Sequence, residues 1–385
     1  MDYKTRIGRH QKCGTSSEYF HAYIPKPLPP NPAIDLSSLY SLLDQANVLI
    51  GRLDGMGRLL PEPELFLYFY VRKEAVLSSQ IEGTQSSLSD LLLHENEKVA
   101  GVPEHDVLEV SNYVAAMEYG LKRLHQDNFP LSLRLIREIH EKLMQSGRGK
   151  HQQPGAFRRS QNWIGGTRPG NASFVPPPPE QVMSLLGQLE HFLHQRDANI
   201  PALIKAALVH VQFETIHPFL DGNGRLGRLL ITFLLCQEGL LDKPLLYLSL
   251  FFKTHRQQYY DHLQAVRKTG EWEAWIAFFL QGVIETSEQA IEVTEQVLAL
   301  FKEDRERIAT LKQSALSAFQ VHHYLQQHCI TDIAKIVERC QLSAPTVTKA
   351  LRHLVDLDIA EEMTGKGRGR MYVYRQYLDI LNQGV

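Results

Sequence analysis

The sequence predicts a mainly α protein, and three observations carry that expectation. Long stretches rich in Leu, Ala, Glu and Gln contain few β-branched runs alternating at period two, which is helical texture. Between 147 and 179 the texture changes abruptly to Gly, Pro, Arg and Asn around short apolar pieces at 162–164 and 173–175. We read there a long loop carrying a small hairpin, a length that in a compact domain points to function or disorder. From Thr310 onward the pattern changes again, to three helices followed by two short alternating strands.

In order along the chain, a Pro-rich stretch at 24–32 precedes helices expected at 36–51, 63–82, 87–96, 106–126 and 131–144. Pro61 and Pro63 sit where a helix starts, and Gly83 where one ends. Past the loop, helices are expected at 180–195, 200–216, 224–237, 254–269 and 271–304. The C-terminal stretch predicts helices at 314–327, 331–339 and 344–357, then strands at 359–363 and 370–374 joined by the glycine-rich turn 365–369. No repeat recurs at a fixed period, which disfavours a solenoid.

Composition narrows the function classes. At roughly 150 residues per domain, 385 residues predict two or three domains. Apolar residues make up 43% and charged residues 22%, as in an ordinary globular protein. Lys and Arg number 41 against 43 Asp and Glu, for a net charge of -2. That balance excludes a polybasic binder of nucleic acid or membrane but allows a local basic patch. The four cysteines (Cys13, Cys236, Cys329, Cys340) include no CxxC pair, which argues against a disulfide framework and fits a reducing compartment. Residues 1–17 lack the apolar centre of a secretory signal, and the longest apolar runs, 65–71 and 229–236, fall short of the about 20 residues that span a bilayer. The expectation is a cytoplasmic protein with no membrane partner.

The chemistry concentrates in His217-Pro-Phe-Leu-Asp-Gly-Asn-Gly-Arg-Leu-Gly-Arg228. Apolar residues at helical spacing lead up to His217, and Pro218 disfavours α conformation there, so His217 ends a helix. Asp221-Gly-Asn-Gly reads as a tight turn, and an apolar helix begins at Gly224. A helix start carries free N–H groups and a positive partial charge, yet this one places Arg225 and Arg228 on one face. Such an arrangement calls for an anion. Free N–H groups, glycines that admit a ligand to the backbone, and forked guanidinium donors together describe a phosphate cradle. Asp221 is placed to hold a Mg²⁺ bridging phosphate oxygens, and His217 to take a proton from an attacking hydroxyl.

These residues resemble the HxFx(D/E)GNGRxxR signature of the Fic/Doc (Fido) family at every fixed position: His217, Phe219, Asp221, Gly222, Asn223, Gly224, Arg225 and Arg228. The resemblance implies a helical Fido core with a hairpin flap, and transfer of AMP from ATP to a hydroxyl side chain of a protein. By it, His217 is the general base and Asp221 binds Mg²⁺. The backbone from Gly222 to Gly224, with Asn223, forms an anion hole for the α- and β-phosphates. Arg225 and Arg228 hold the β- and γ-phosphates, and Leu226 and Gly227 between them are counted with the nucleotide site. Upstream, Ser78-Ser-Gln-Ile-Glu82-Gly83 resembles the (S/T)xxxE(G/N) motif of family members that carry their own inhibitory helix. Carried over, Glu82 pairs with Arg228 and blocks the γ-phosphate, since a carboxylate forking onto a guanidinium competes with phosphate for the same donors.

The likeness extends over 131–282. Gly155-Ala-Phe-Arg158 is similar to the family's GxFR approach to its flap, and 162–175 would be the flap, docking a target segment main chain to main chain. His255, Tyr259 and Tyr260 lie where the family approaches the adenosine, with His255 standing in place of an Asn and ordinary packing an equal reading for the two tyrosines. A competing idea places a zinc ion on His210, Glu214 and His217 with help from Glu190, His191 or His194; the signature accounts for His217 more fully.

The C-terminal stretch resembles a winged helix, with Thr346, Thr348, Lys349 and Arg352 on its second recognition-type helix and Lys366, Arg368 and Arg370 in or beside the wing. Between 343 and 375 six Lys and Arg face four acids, a weak footprint for DNA, so both DNA contact and protein docking stay open.

The organisation expected is an N-terminal helical region with the inhibitory helix (1–110), a catalytic domain (131–282), a linker helix (283–309) and a winged-helix domain (310–385). The expected activity is a self-inhibited protein adenylyltransferase that uses ATP and Mg²⁺, releases pyrophosphate, and modifies a Ser, Thr or Tyr hydroxyl on a target docked at the flap, or on itself. Two alternatives are kept: a DNA-binding regulator whose core senses nucleotide, and removal of AMP by the same site. A homodimer and DNA complete the expected partners.

Overall fold

The computed structural model describes residues 3–14, 19–59, 63–95, 104–195, 200–364 and 369–383. An antiparallel ribbon opens the fold, β1 (Arg9–Gly14) and β2 (Tyr19–Ile24), with Arg9 opposite Ile24 and Gly14 opposite Tyr19. Strand β1 is polar and β2 largely apolar without alternation, and the sequence does not predict the ribbon. Four helices follow: α1 (Tyr40–Leu59), α2 (Pro63–Ile81), α3 (Leu88–Glu95) and α4 (Glu104–His125).

The central layer holds α5 (Leu133–Leu143), α6 (Pro179–His194), α7 (Ala202–Ile216) and α8 (Asn223–Gln237). Helix α5 is capped by Ser132, whose hydroxyl accepts from the Leu135 N–H, and it buries Leu135, Ile136, Ile139, His140 and Leu143 on one face. Helix α7 is buried around its whole circumference from Leu203 to Ile216, which suits a helix with neighbours on every side. Helix α8 packs along α7 and is buried nearly throughout, so the pair forms the centre of the molecule.

Between α5 and α6 the long loop forms the hairpin, reduced to a single antiparallel bridge between Ile164 and Phe174. The Tyr23 N–H donates to the Val175 carbonyl at 2.9 Å, so the N-terminal ribbon is stitched to the outer strand of this flap.

The helix expected at 254–269 is α10 (Arg256–Thr269), preceded across His255 by a short helix, α9 (Ser249–Thr254), that the sequence does not predict. The region expected as a linker helix, 283–309, is the C-terminal part of one helix, α11 (Trp272–Ala309), which α1 flanks. Apolar residues recur along all of α11, and nothing in its sequence interrupts the helix.

The C-terminal module runs α12 (Ala315–His328), β3 (Ile330–Asp332), α13 (Ile333–Cys340), α14 (Ala344–Asp356), β4 (Glu361–Glu362), β5 (Met371–Val373) and α15 (Arg375–Leu381). Its sheet order is β3-β5-β4, all antiparallel. Strand β3 takes the start of the stretch expected as a helix from 331, and Asp332 caps α13 by accepting from the Lys335 N–H at 3.0 Å. Lys366 and Arg368 lie outside the described residues. Buried apolar residues form one contiguous cluster from Ile24 to Leu381, so the module shares the core rather than hanging from it. Among the described residues no helix is long and apolar enough to cross a membrane.

Candidate active site

Helix α7 ends at His217, which adopts left-handed backbone geometry (φ 50°, ψ 61°) while its N–H still donates to Phe213 at 2.9 Å. Such a conformation costs a residue with a side chain about 1 kcal/mol, so the surroundings must hold it. Arg158, 2% exposed, does so. Its Nε donates to the His217 carbonyl at 2.8 Å, and its Nη2 to Pro177 at 2.6 Å and Ile216 at 3.3 Å. Its own N–H donates to the Pro218 carbonyl at 2.9 Å.

The following carbonyls are held in turn. Asn162 Nδ2 donates to Phe219 and Leu220, both at 3.2 Å, and Asn223 Nδ2 to Phe219 at 2.9 Å. His140 Nε2 lies 3.0 Å from the Asp221 carbonyl. Every carbonyl from Ile216 to Asp221 is thus an acceptor, and most of the donors come from the segment leading into the flap.

Helix α8 begins at Gly222, whose left-handed backbone (φ 77°) and lack of a capping side chain leave the first-turn N–H groups uncapped. A Cβ at Gly222 would meet Met144 Sδ at 2.7 Å. The first turn contains no acid, and the anion that Arg225 and Arg228 call for comes from other helices. Arg225 Nη1 donates to Glu109 Oε2 of α4 at 3.2 Å, with both side chains buried. Arg228 Nη2 donates to Glu82 Oε1 at 2.7 Å and to the Ser78 carbonyl at 2.9 Å, while its Nε donates to Ser78 Oγ at 2.8 Å.

The Glu82 carboxylate lies directly over the helix start: a Cβ on Gly224 would stand 2.2 Å from Glu82 Oε1. It therefore fills the approach that glycine keeps open. Burial pushes the Glu82 carboxyl up, but the charge and hydrogen bond of Arg228, with Arg225 beyond, outweigh this and hold it below its ordinary range.

His217 keeps a partly exposed edge. Burial of the remainder, reinforced by Arg158 and Arg267, pushes its imidazole down to about 3, so it is neutral and able to accept a proton at physiological pH. The Asp221 side chain is 45% exposed; Oδ1 accepts from the Gly222 N–H at 2.6 Å and lies 3.6 Å from Arg225 Nη2. An exposed carboxylate oxygen beside the uncapped start of α8 is the hard donor that Mg²⁺ takes, so Asp221 fits that ion.

Several expected nucleotide contacts are placed otherwise. Tyr259 is 1% exposed, its hydroxyl 2.8 Å from His210 Nε2, because α10 turns it into the core. Leu226 is fully buried, and a Cβ on Gly227 would stand 2.4 Å from Glu214 Oε1, so both face away from the cradle. The Asn223 side chain is spent on Phe219, accepting from its N–H and donating to its carbonyl at 2.9 Å each, which leaves only backbone to face an anion. His255 packs on Phe251 with ring centroids 4.5 Å apart, at the break between α9 and α10. Tyr260 is 37% exposed, with Arg256 5.4 Å above its ring. Burial and the nearby Glu82 charge push its hydroxyl up to about 12.

The zinc alternative fails on donors. His210 Nδ1 lies 3.0 Å from the Gly227 carbonyl, so it donates there, and Nε2 is taken by Tyr259. Glu190 accepts from the Leu133 N–H at 2.7 Å. Among the described residues no group of three or more His, Cys, Asp and Glu side chains could hold a metal ion.

Sequence reasoning missed His140, Glu109 and Glu74. Glu74 accepts from the Ser249 N–H at 3.1 Å and from Tyr113 at 3.2 Å; burial pushes it up to about 7 despite those bonds and the charge of Arg228. The only signal available was a polar residue on an otherwise apolar helix face, as at His140 in α5.

A family model described as Fic/DOC family matches residues 130–235, and one described as Fic/DOC family N-terminal matches residues 40–122. The protein adenylyltransferase Fic of Aedes aegypti is 34% identical over 203 residues, 51% of this chain and 37% of its own length. A probable protein adenylyltransferase of Aquifex aeolicus is 33% identical over 183 residues, 46% of this chain and 52% of its own length. The chain thus spans about half or less of the length of these curated relatives. A Fic family protein from Desulfovibrio desulfuricans G20 shares the fold with a TM-score of 0.58 at 21% identity, covering 89% of this chain and 97% of that one. Fic-1 from C. elegans gives 0.51 at 22% identity, over 69% of this chain and 74% of that one.

Proposed function

From the Fic/DOC family domain that this chain carries at 130–235, behind the family's N-terminal region at 40–122, we propose a protein adenylyltransferase held in a resting state by Glu82. The observation that carries the reading is the shared position: the Glu82 carboxylate engages Arg228 over the uncapped start of α8, where a nucleotide phosphate would need the same donors. The names of the relatives supply the reaction class.

In the released state, the first-turn N–H groups, Arg225 and Arg228 bind the phosphates of ATP and neutralise charge as it develops. Neutral His217 accepts the proton of a target Ser, Thr or Tyr hydroxyl. The hydroxyl oxygen bonds to the α-phosphorus, and the bond to pyrophosphate breaks. Asp221 would hold a Mg²⁺, which would supply further neutralisation of the phosphate charge. The flap edge at 161–164 offers the main chain on which a target segment docks, because the edge at 173–175 is already joined to the N-terminal ribbon at Tyr23.

The test is AMP incorporation from α-labelled ATP with Mg²⁺, read as self-labelling and as labelling of target proteins. Glu82→Gly raises it at least about tenfold, because the competing carboxylate is gone, and adding His217→Ala returns it to background. Labelling unchanged by Glu82→Gly, or surviving His217→Ala, sinks the reading.

We read the C-terminal module as a winged helix from its order of helix, strand, two helices and a two-strand hairpin. Lys349 and Arg352 on α14 give it a modest basic face. Duplex binding by the full chain that weakens steeply with salt supports contact with DNA, and its absence at low salt supports docking to protein.

A further inference from the structure

We infer that His140, which no signature residue includes, is the positioning residue that sets the Asp221 carboxylate through a single peptide group. The inference rests on the transferase reading for its chemistry, and on the geometry of α5 and the 217–222 loop for its structure.

His140 is fully buried, and each of its ring nitrogens has one partner. The Gly155 N–H lies 2.9 Å from Nδ1 and can only donate, so Nδ1 accepts. The ring proton is therefore on Nε2, which donates to the Asp221 carbonyl at 3.0 Å. The ring lies flat on Phe219, with centroids 3.7 Å apart and planes 7° apart, which fixes its tilt.

The Asp221 carbonyl and the Gly222 N–H belong to the same peptide unit. His140 holds the carbonyl end; the Asp221 Oδ1 itself accepts from the N–H end at 2.6 Å. Rotation of that plane would carry the N–H away from the carboxylate and release the side chain. A peptide followed by glycine turns over at little steric cost, and Gly222 is already left-handed (φ 77°), so the loop alone does not prevent rotation. His140 prevents it. The same ring anchors Gly155 at the approach to the flap, so one side chain ties the metal-binding end of the loop to the segment that bears the docked target.

Three variants in the Glu82→Gly background separate this role from packing. His140→Phe keeps the stack on Phe219 and loses both hydrogen bonds. His140→Gln places an amide donor at the reach of Nε2, and His140→Asn at the reach of Nδ1 only. The measurements are the Mg²⁺ concentration that half-saturates the ADP-dependent rise in melting temperature, and kcat and KM for ATP in self-labelling. For His140→Phe the half-saturating Mg²⁺ rises about 10- to 100-fold, as for loss of a partner that orients a metal ligand, and kcat falls by a similar factor. KM for ATP and the ADP response in EDTA stay within about twofold, because the phosphate donors are untouched. His140→Gln recovers a substantial part of both losses and His140→Asn recovers neither.

A half-saturating Mg²⁺ within about twofold of the parent in His140→Phe, or equal behaviour of the Gln and Asn variants, overturns the assignment. Should the Phe variant not fold, the Gln and Asn pair decides. If Glu82→Gly transfers no AMP, the transferase reading fails alone, and the Mg²⁺ dependence of the ADP response still judges His140.

Discussion

At Gly224 the proposed inhibition and the proposed phosphate binding would share one space. Its Cα faces Glu82 Oε1 so closely that a Cβ would stand 2.2 Å from it and 3.2 Å from Arg228 Nη1. The first of these clashes is with the far end of a flexible side chain, which can swing aside, and the backbone at 224 is ordinary helix. Gly224→Ala should therefore fold at least as well as the natural chain, since alanine is favoured over glycine in a helix by about 1 kcal/mol. It should also loosen Glu82 from Arg228. Yet the methyl remains in the cradle, so nucleotide phosphates are excluded as well. The expected outcome is a melting temperature unchanged or raised, no gain in labelling, and loss of the ADP-dependent stabilisation that Glu82→Gly retains. Differential scanning fluorimetry with and without ADP checks it. An activated Gly224→Ala would mean that phosphates do not bind where Glu82 lies.

At the scale of elements, the 217–222 loop is held by the segment that leads into the 162–175 hairpin. Arg158 joins the end of α7 to the stretch before α6 through four carbonyls, those of Ser160, Pro177, Ile216 and His217. Arg158→Met keeps most of the side-chain volume and leaves buried acceptors without donors, costing about 2–4 kcal/mol of stability by urea unfolding. It also frees His217 to leave its left-handed conformation, and a shift of about 1 Å in a reacting group costs on the order of a hundredfold in rate. In the Glu82→Gly background, labelling should fall by a comparable factor with KM for ATP little changed; labelling that survives intact would mean that His217 holds its own position. Much of this region was legible in the sequence, because His217, Asp221, Arg225 and Arg228 announce themselves by side-chain type and spacing, and Glu82 by its motif. The clamp was not. Its acceptors are main-chain carbonyls, which every residue has, and its donors Arg158, Asn162 and His140 are remote in sequence from the loop they hold. The N-terminal ribbon escaped for a related reason: the half-buried side of β1 is no more apolar than its exposed side except at Cys13, so no apolar period-two pattern marks it.

Across the whole molecule, α2 joins the candidate site to the C-terminal module. Its C-terminal end delivers Ser78 and Glu82 to Arg228, and its middle meets the C-terminal module, where the Phe69 and Tyr377 rings lie 5.2 Å apart. Between these contacts sits Lys73, 4% exposed, with Nζ donating to the Gln383 carbonyl at 2.6 Å and lying 4.4 Å from the Tyr247 ring centre. Burial pushes its ammonium down to about 8. The sign of the pH effect follows. At pH 7 Lys73 is charged in folded and unfolded chains alike, so the full cost of burying that charge is present. Between about pH 8 and pH 10.5 the unfolded chain keeps the proton and the folded one releases it, so this residue makes the natural chain gain stability as pH rises. The difference of roughly 2.5 pKa units corresponds to about 3 kcal/mol, against which the hydrogen bond and ring contact return about 2 kcal/mol. Lys73→Met should therefore be more stable at pH 7 by on the order of 1 kcal/mol, and its advantage should shrink and reverse toward pH 10, as followed by urea midpoints at several pH values. A variant equally destabilised at every pH would show instead that the bond to Gln383, rather than the shared apolar core, is what seats the module on α2.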